Sequence, residues 1–124
     1  GGCLMIEQIR LIHKAFEDEP NHIATYVPSP LLSAIENLED LFKRTQNLDG
    51  SWIKFKQNFS MMPAVDTRST SVGDLMVVCY ENPNGNGFKE VWYQVANVGF
   101  EKYFETQHIA NDHLKEKYKK GGTA

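Results

Sequence analysis

The stretch from Gly73 to Gly99 constrains this chain most. Gly73-Asp74 reads as a turn, and Leu75-Met76-Val77-Val78-Cys79-Tyr80 follows it as an unbroken apolar run. A run that short, without alternation, suits a strand buried on both faces, and hence a central strand of a sheet. It stops at Asn82-Pro83-Asn84-Gly85-Asn86-Gly87, whose two Asn-Gly pairs favour positive φ and so a hairpin connection. Glu90-Val91-Trp92-Tyr93-Gln94-Val95-Ala96-Asn97-Val98 returns as the partner strand, and Gly99 permits a sharp bend before Phe100. Most of the aromatic residues lie at or after Tyr80, which predicts a core centred on this hairpin.

Upstream, Met5 to Phe16 carries two periodicities. Met5, Ile9, Ile12 and Phe16 recur at helical spacing, whereas Ile9, Leu11, His13 and Ala15 recur at strand spacing. The β-branched Ile6, Ile9 and Ile12 favour the strand, and His22 to Val27, halted by Pro28 and Pro30, reads as a second strand. A β-hairpin around Glu17-Asp18-Glu19-Pro20-Asn21 is therefore expected. Ser33-Ala34-Ile35-Glu36 has the form of a capping box, with Pro30 suiting a helix entrance. Leu31, Ile35, Leu38 and Leu41 or Phe42 mark one apolar face. Acidic residues early and Lys43-Arg44 late suit the helix dipole, and Asn47 and Gly50 can end the helix. At the far end, Glu105 to Lys120 is helix-compatible, anchored by Ile109, Leu114 and Tyr118.

Composition narrows the function. The formal net charge is −3, from 16 acidic and 13 basic residues, which lacks both the basic excess of a general duplex-DNA binder and the acidic density of a DNA mimic. The charge is split between Glu17-Asp18-Glu19 and a basic end at Lys115, Lys117, Lys119 and Lys120. No apolar run is long enough to cross a bilayer, and no secretory leader pattern opens the chain. Two cysteines without a CxxC pair build neither a disulfide framework nor a zinc site. Cys79 reads as a small buried hydrophobe and Cys3 as exposed, and a reducing, cytoplasmic setting fits both. The expectation is one domain over residues 3–120, with 1–2 and 121–124 as loose ends.

The set with the most chemical character is Asp66, Arg68, Ser69, Ser71 and Asp74. An arginine beside hydroxyls and turn amides suits a phosphate or carboxylate. The plainer alternative has Ser69, Thr70 and Ser71 bonding local backbone while Arg68 pairs with a carboxylate. Ser71 lacks the Gly-x-Ser-x-Gly setting of an esterase nucleophile. His108 and His113 are five apart, whereas two zinc ligands on one helix face stand four apart. His13 with Glu17 is one pair, short of a metal site. Gly85-Asn86-Gly87 lacks the rest of a dinucleotide fingerprint. No catalytic residue, metal ligand or cofactor is therefore expected. Between Ser51 and Met62, Trp52, Phe55 and Phe59 alternate with lysines. That interleaving suits either a loop closing over the core or a stacking platform for single-stranded nucleic acid.

Arg68-Ser69-Thr70-Ser71-Val72-Gly73-Asp74, then Trp92-Tyr93-Gln94-Val95 and Val98-Gly99-Phe100, resembles the YodL-like domain and related small proteins of bacteriophages and conjugative elements. Asp40 to Asn47, with Trp52 after it, is similar to the block preceding this motif in phage versions. The resemblance covers roughly residues 38–104. It implies a genomic setting and transfers no catalytic residue. The long Asn-Gly loop and the Lys-rich end depart from it. A weaker similarity, through the Gly-Asp turn, runs to the PUA-like and ASCH β-barrels.

The expected fold is α+β: a small antiparallel sheet or partly open barrel packed with an amphipathic helix, plus a C-terminal helix. The expected function is a non-enzymatic accessory protein of a phage or mobile element that binds a host protein, away from membranes. The binding residues expected are Arg68, Ser69, Ser71, Asp74, Trp52, Trp92 and Tyr93. The alternative is a small nucleic-acid-binding β-domain that stacks bases on Trp52, Phe55, Trp92 and Tyr93 among the lysines.

Overall fold

The computed structural model describes residues 5–82 and 87–109. It shows one open six-stranded sheet, every neighbouring pair antiparallel, in the order β3-β2-β1-β4-β5-β6. The strands are β1 (Met5–His13), β2 (Asn21–Tyr26), β3 (Phe59–Met61), β4 (Leu75–Glu81), β5 (Gly87–Val95) and β6 (Phe100–Ile109). One helix, α1 (Ala34–Arg44), and a short 3-10 turn, Trp52–Lys54, complete the described elements.

β4 is central, as its unbroken apolar run predicts. Met76 and Val78 point to one face, Leu75, Val77 and Cys79 to the other, and all five are buried. Cys79 is indeed a small buried residue, and burial pushes its thiol pKa up. Cys3 lies outside the described residues. In β1 the two periodicities are resolved by burial. Ile9, Leu11 and His13 are almost fully buried, whereas Met5 and Phe16 of the helical set are 64% and 74% exposed. The strand is held by antiparallel pairing with β2 over Ile9–His13 and with β4 over Met5–Ile12, which gives its backbone partners on both sides where it is most buried.

Ser33 caps α1, accepting from the Glu36 amide while the Glu36 side chain accepts from the Ser33 amide. Leu38 and Leu41 are the buried apolar residues of the helix. Leu31 departs from the expected face: it precedes the cap and is 91% exposed. Asn37 is buried instead, and its amide joins the helix to the turn before it, donating to the carbonyls of Ser29 and Ser33 and accepting from the Ser29 amide.

The main core lies between α1 and the sheet, from Ile9, Leu11, Ala24, Tyr26, Leu38, Leu41, Trp52, Met76, Val78 and Val95. This corrects the expectation of a core centred on the hairpin aromatics. Phe88, Tyr103 and Phe104 each keep more than two fifths of their surface exposed, and Phe104 stacks on Trp92 on the face opposite the main core. The C-terminal helix also needs correction. Residues 105–109 extend β6, paired with Gly87–Val91, while 110–120 lie outside the described residues. Helical spacing there rests on Leu114 and Tyr118, and the β5 register takes the residues before them.

Both sheet edges are poor templates for further pairing. β3 has three residues, and β6 carries Glu101, Lys102 and Glu105 with a one-residue bulge at Tyr103. Among the described residues, no helix is long and apolar enough to cross a membrane.

Candidate functional site

Asp74 opens β4 and is fully buried. Its local geometry follows from the turn before it: Gly73 has φ +97°, a conformation closed to most side chains, and a Cβ there would stand 3.2 Å from that of Ala15. The Asp74 amide donates to Ser71 O at 3.0 Å while Ser71 N donates back to Asp74 Oδ2 at 2.8 Å. The same carboxylate accepts from the amides of Lys14 and Ala15, at 2.8 and 2.9 Å, just past the end of β1. Arg68 supplies two more donors, Nη1 to Oδ2 and Nη2 to Oδ1, both at 2.8 Å. Five N–H groups thus converge on one buried carboxylate. They outweigh the cost of its burial and hold its pKa at about 2.

Arg68 is equally occupied. Its other edge forks onto Glu17, Nε to Oε2 at 3.0 Å and Nη2 to Oε1 at 2.8 Å, and Nη1 also donates to Ser69 O. A guanidinium has five N–H donors, and all five are taken within the protein. Bonding to the two carboxylates raises its pKa further, and Arg68 lowers that of Glu17 in return. The Phe16 ring lies against the guanidinium, 4.9 Å from its centre.

Behind this clamp runs a buried chain of hydroxyls. His13 Nε2 lies 3.2 Å from Thr70 Oγ1, which is bonded to Thr45 Oγ1 at 2.8 Å, and the Thr70 amide donates to Thr45 O. Gln46 Nε2 donates to Thr70 O, and the Asn47 amide to Ser69 Oγ. Trp52 Nε1 donates to Arg68 O. The end of α1, the 3-10 turn and residues 67–71 are thereby stitched together. His13, Thr70 and Asp74 superficially suggest a catalytic relay, but Asp74 approaches the same ring nitrogen that meets Thr70, at 3.9 Å. A relay needs the carboxylate on the other nitrogen, and Thr70 is only 2% exposed. Burial, the largest influence, lowers the His13 pKa and keeps the ring neutral near pH 7.

The structure brings Arg68, Ser69, Ser71 and Asp74 together. It does not unite the three large aromatics with them into one platform. Trp52 is wholly buried in the main core and has no face to offer a base, which corrects its place in a stacking surface. Tyr93 packs against that same core from β5. Trp92, its neighbour in the strand, points to the opposite face and stacks on Phe104, with ring centroids 4.9 Å apart and planes 18° apart. Sequence reasoning missed Thr45, gave Thr70 only local backbone bonds, and read Glu17 only as part of an acidic hairpin turn. Glu17 meets Arg68 across 51 residues, a separation no local pattern signals. Among the described residues, no group of three or more His, Cys, Asp or Glu side chains is placed to hold a metal ion.

The clamp also shapes a surface. Gly73 N donates to Val95 O at 2.8 Å and Val95 N to Asp74 O at 2.9 Å, tying the motif to the end of β5. Val72 therefore stands beside the 96–99 turn, which Gly99 closes with φ +73°. A cleft of about 280 Å³ opens there, lined by Phe42, Val72, Val95 and Phe100 with Glu39 and Lys43 at its rim. Val98, next to it, is 91% exposed. No protein-family model, curated protein or solved structure matches the chain.

Proposed function

We propose that this chain is a non-enzymatic binding module, an accessory protein of a bacteriophage or mobile element that engages a host protein through the cleft beside Val72. One observation carries the reading: every N–H donor of Arg68 is consumed by Glu17, Asp74 and Ser69, so the motif that looks most like a ligand site is a scaffold. What the scaffold presents is apolar. It sets Val72 against Phe42 and Phe100, with Val98 projecting alongside, and apolar pockets with a charged rim suit a partner's hydrophobic anchor. The phage setting rests on the motif resemblance, and Val72, Gly99 and Phe100 from two of its blocks line this cleft.

The test is affinity capture from bacterial lysate with the full chain, its Val98→Glu variant and a Val72→Glu variant. The expected result is one partner recovered in stoichiometric amount by the parent chain and lost by both variants, with melting temperatures unchanged. Recovery of the same partner by the variants, or of no stoichiometric partner by any chain, rejects the reading.

A further inference from the structure

A second surface is built on different chemistry. Residues 52–59 are anchored in the core at both ends. Trp52 is fully buried, Phe59 packs on it and on Tyr26 with centroids 5.9 and 5.8 Å away, and Val27 N donates to Asn58 O. Between the anchors the 3-10 turn ends and the chain faces outward, leaving Lys54, Phe55, Lys56 and Gln57 exposed. They line a cleft of about 420 Å³ with Lys43 and Arg44 from the last turn of α1. Lys43, Lys54 and Lys56 line it with Arg44, whose Nε is paired with Asp40 at 2.7 Å, against the single lining carboxylate Asp49, in a protein of net charge −3. Lys54 is held in place: its Nζ donates to Asp49 O at 2.9 Å and sits 5.6 Å from the centre of the Phe55 ring. The Phe55 ring is 51% exposed.

We infer that this cleft binds single-stranded nucleic acid, with phosphates on Lys54, Lys56 and Lys43 and a base stacked on Phe55. The cations supply the sequence-independent attraction. The exposed ring between them distinguishes the site from a simple basic patch, because bases present a flat π-face and an acidic peptide does not. A duplex keeps its bases stacked on each other and offers none to Phe55. The site shares only Lys43 with the cleft beside Val72, so each can fail without the other.

The experiment is fluorescence anisotropy of the full chain with labelled oligothymidylate and oligouridylate, at about 50 and about 200 mM salt. Binding should weaken as salt rises. Phe55→Ala should weaken it roughly tenfold, the cost of one lost base stack. Losing Lys54 and Lys56 together should flatten the salt dependence by about 0.7 in log–log slope per lost contact. Circular dichroism melting of each variant should match the parent, since these side chains are exposed. The inference is overturned by absent binding at low salt, or by binding that survives both changes, which would place it elsewhere, as on the Lys-rich stretch 115–120. Equal binding of duplex DNA overturns it too. So does equal binding of polyglutamate with Phe55→Ala indifferent, which would make this an acidic-peptide site.

Discussion

Arg68 and Lys54 are both cations in the connections that follow α1, and the protein uses them in opposite ways. Arg68 is 27% exposed, yet its whole donor fork is spent on Glu17, Asp74 and Ser69. Lys54 leans on one backbone carbonyl beside an exposed aromatic ring, with Lys56 and Lys43 nearby. In the motif-like stretch the guanidinium's donors are bonded within the protein, whereas in the aromatic–lysine loop Lys54 and Lys56 stay exposed. A buried carboxylate demands partners from several elements at once, so the residues that satisfy it occur in a dense pattern. A solvated lysine demands no fixed partners of its neighbours, so its pattern is only the local interleaving with Trp52, Phe55 and Phe59.

The largest effect should come from Asp74→Ala. Stranding Arg68 and three amides should cost about 3–5 kcal/mol in urea unfolding; a loss below about 1 kcal/mol would show that the clamp is not scaffold. Acid should reach the same region in two stages. A His13 pKa below its ordinary 6.5 means stability present above that pH and lost as pH falls beneath it. Asp74, lowered from 3.8 to about 2, contributes stability that is complete above pH 3.8 and lost as pH falls toward 2, in all about 2 kcal/mol. Unfolding midpoints of the parent and an Asp74→Asn variant across pH 7 to 2 should show the Asp74 stage only in the parent.

Gly99→Val should cost about 1–2 kcal/mol, measured by thermal melting. The reason is conformational alone: φ is +73°, and a Cβ there meets nothing within 4 Å. Gly73→Ala combines φ +97° with a 3.2 Å approach to the Ala15 Cβ and should cost more than Gly99→Ala. The reverse order would mean that Ala15 yields easily and that the turn before Asp74 is softer than the clamp implies. The smallest effect should be that of Phe55→Ala on stability, within about 0.5 kcal/mol. A larger loss would make Phe55 part of the core and erase the contrast between the two regions.

Much of the fold was legible in residue order. The uniform run Leu75–Tyr80 is readable as central because burial on both faces removes alternation. Ser33 and Glu36 announce the start of α1 because a capping box is complete within four residues. The core's location was not legible: aromatic density points to the hairpin after Tyr80, whereas α1 covers β1, β2 and β4. The candidate site was half legible. Arg68 and Asp74 are six apart and read together, but Glu17, His13 and Thr45 join them only through the folded chain.

By itself the sequence determined where strands, turns and the capped helix form, because those depend on backbone preferences over a few residues. Gly73 and Gly99 occupy positive φ because few other residues do so at low cost. Which charges are consumed and which remain free was decided only by tertiary structure. Asp74 finds its amides 59 and 60 residues away, and Arg68 finds Glu17 at 51. Whether an aromatic ring is core or surface was decided there too, since Trp52 and Phe55 differ by three positions and the turn between them buries one and exposes the other. Exposure and saturation follow from how distant segments meet, and no local propensity encodes that meeting.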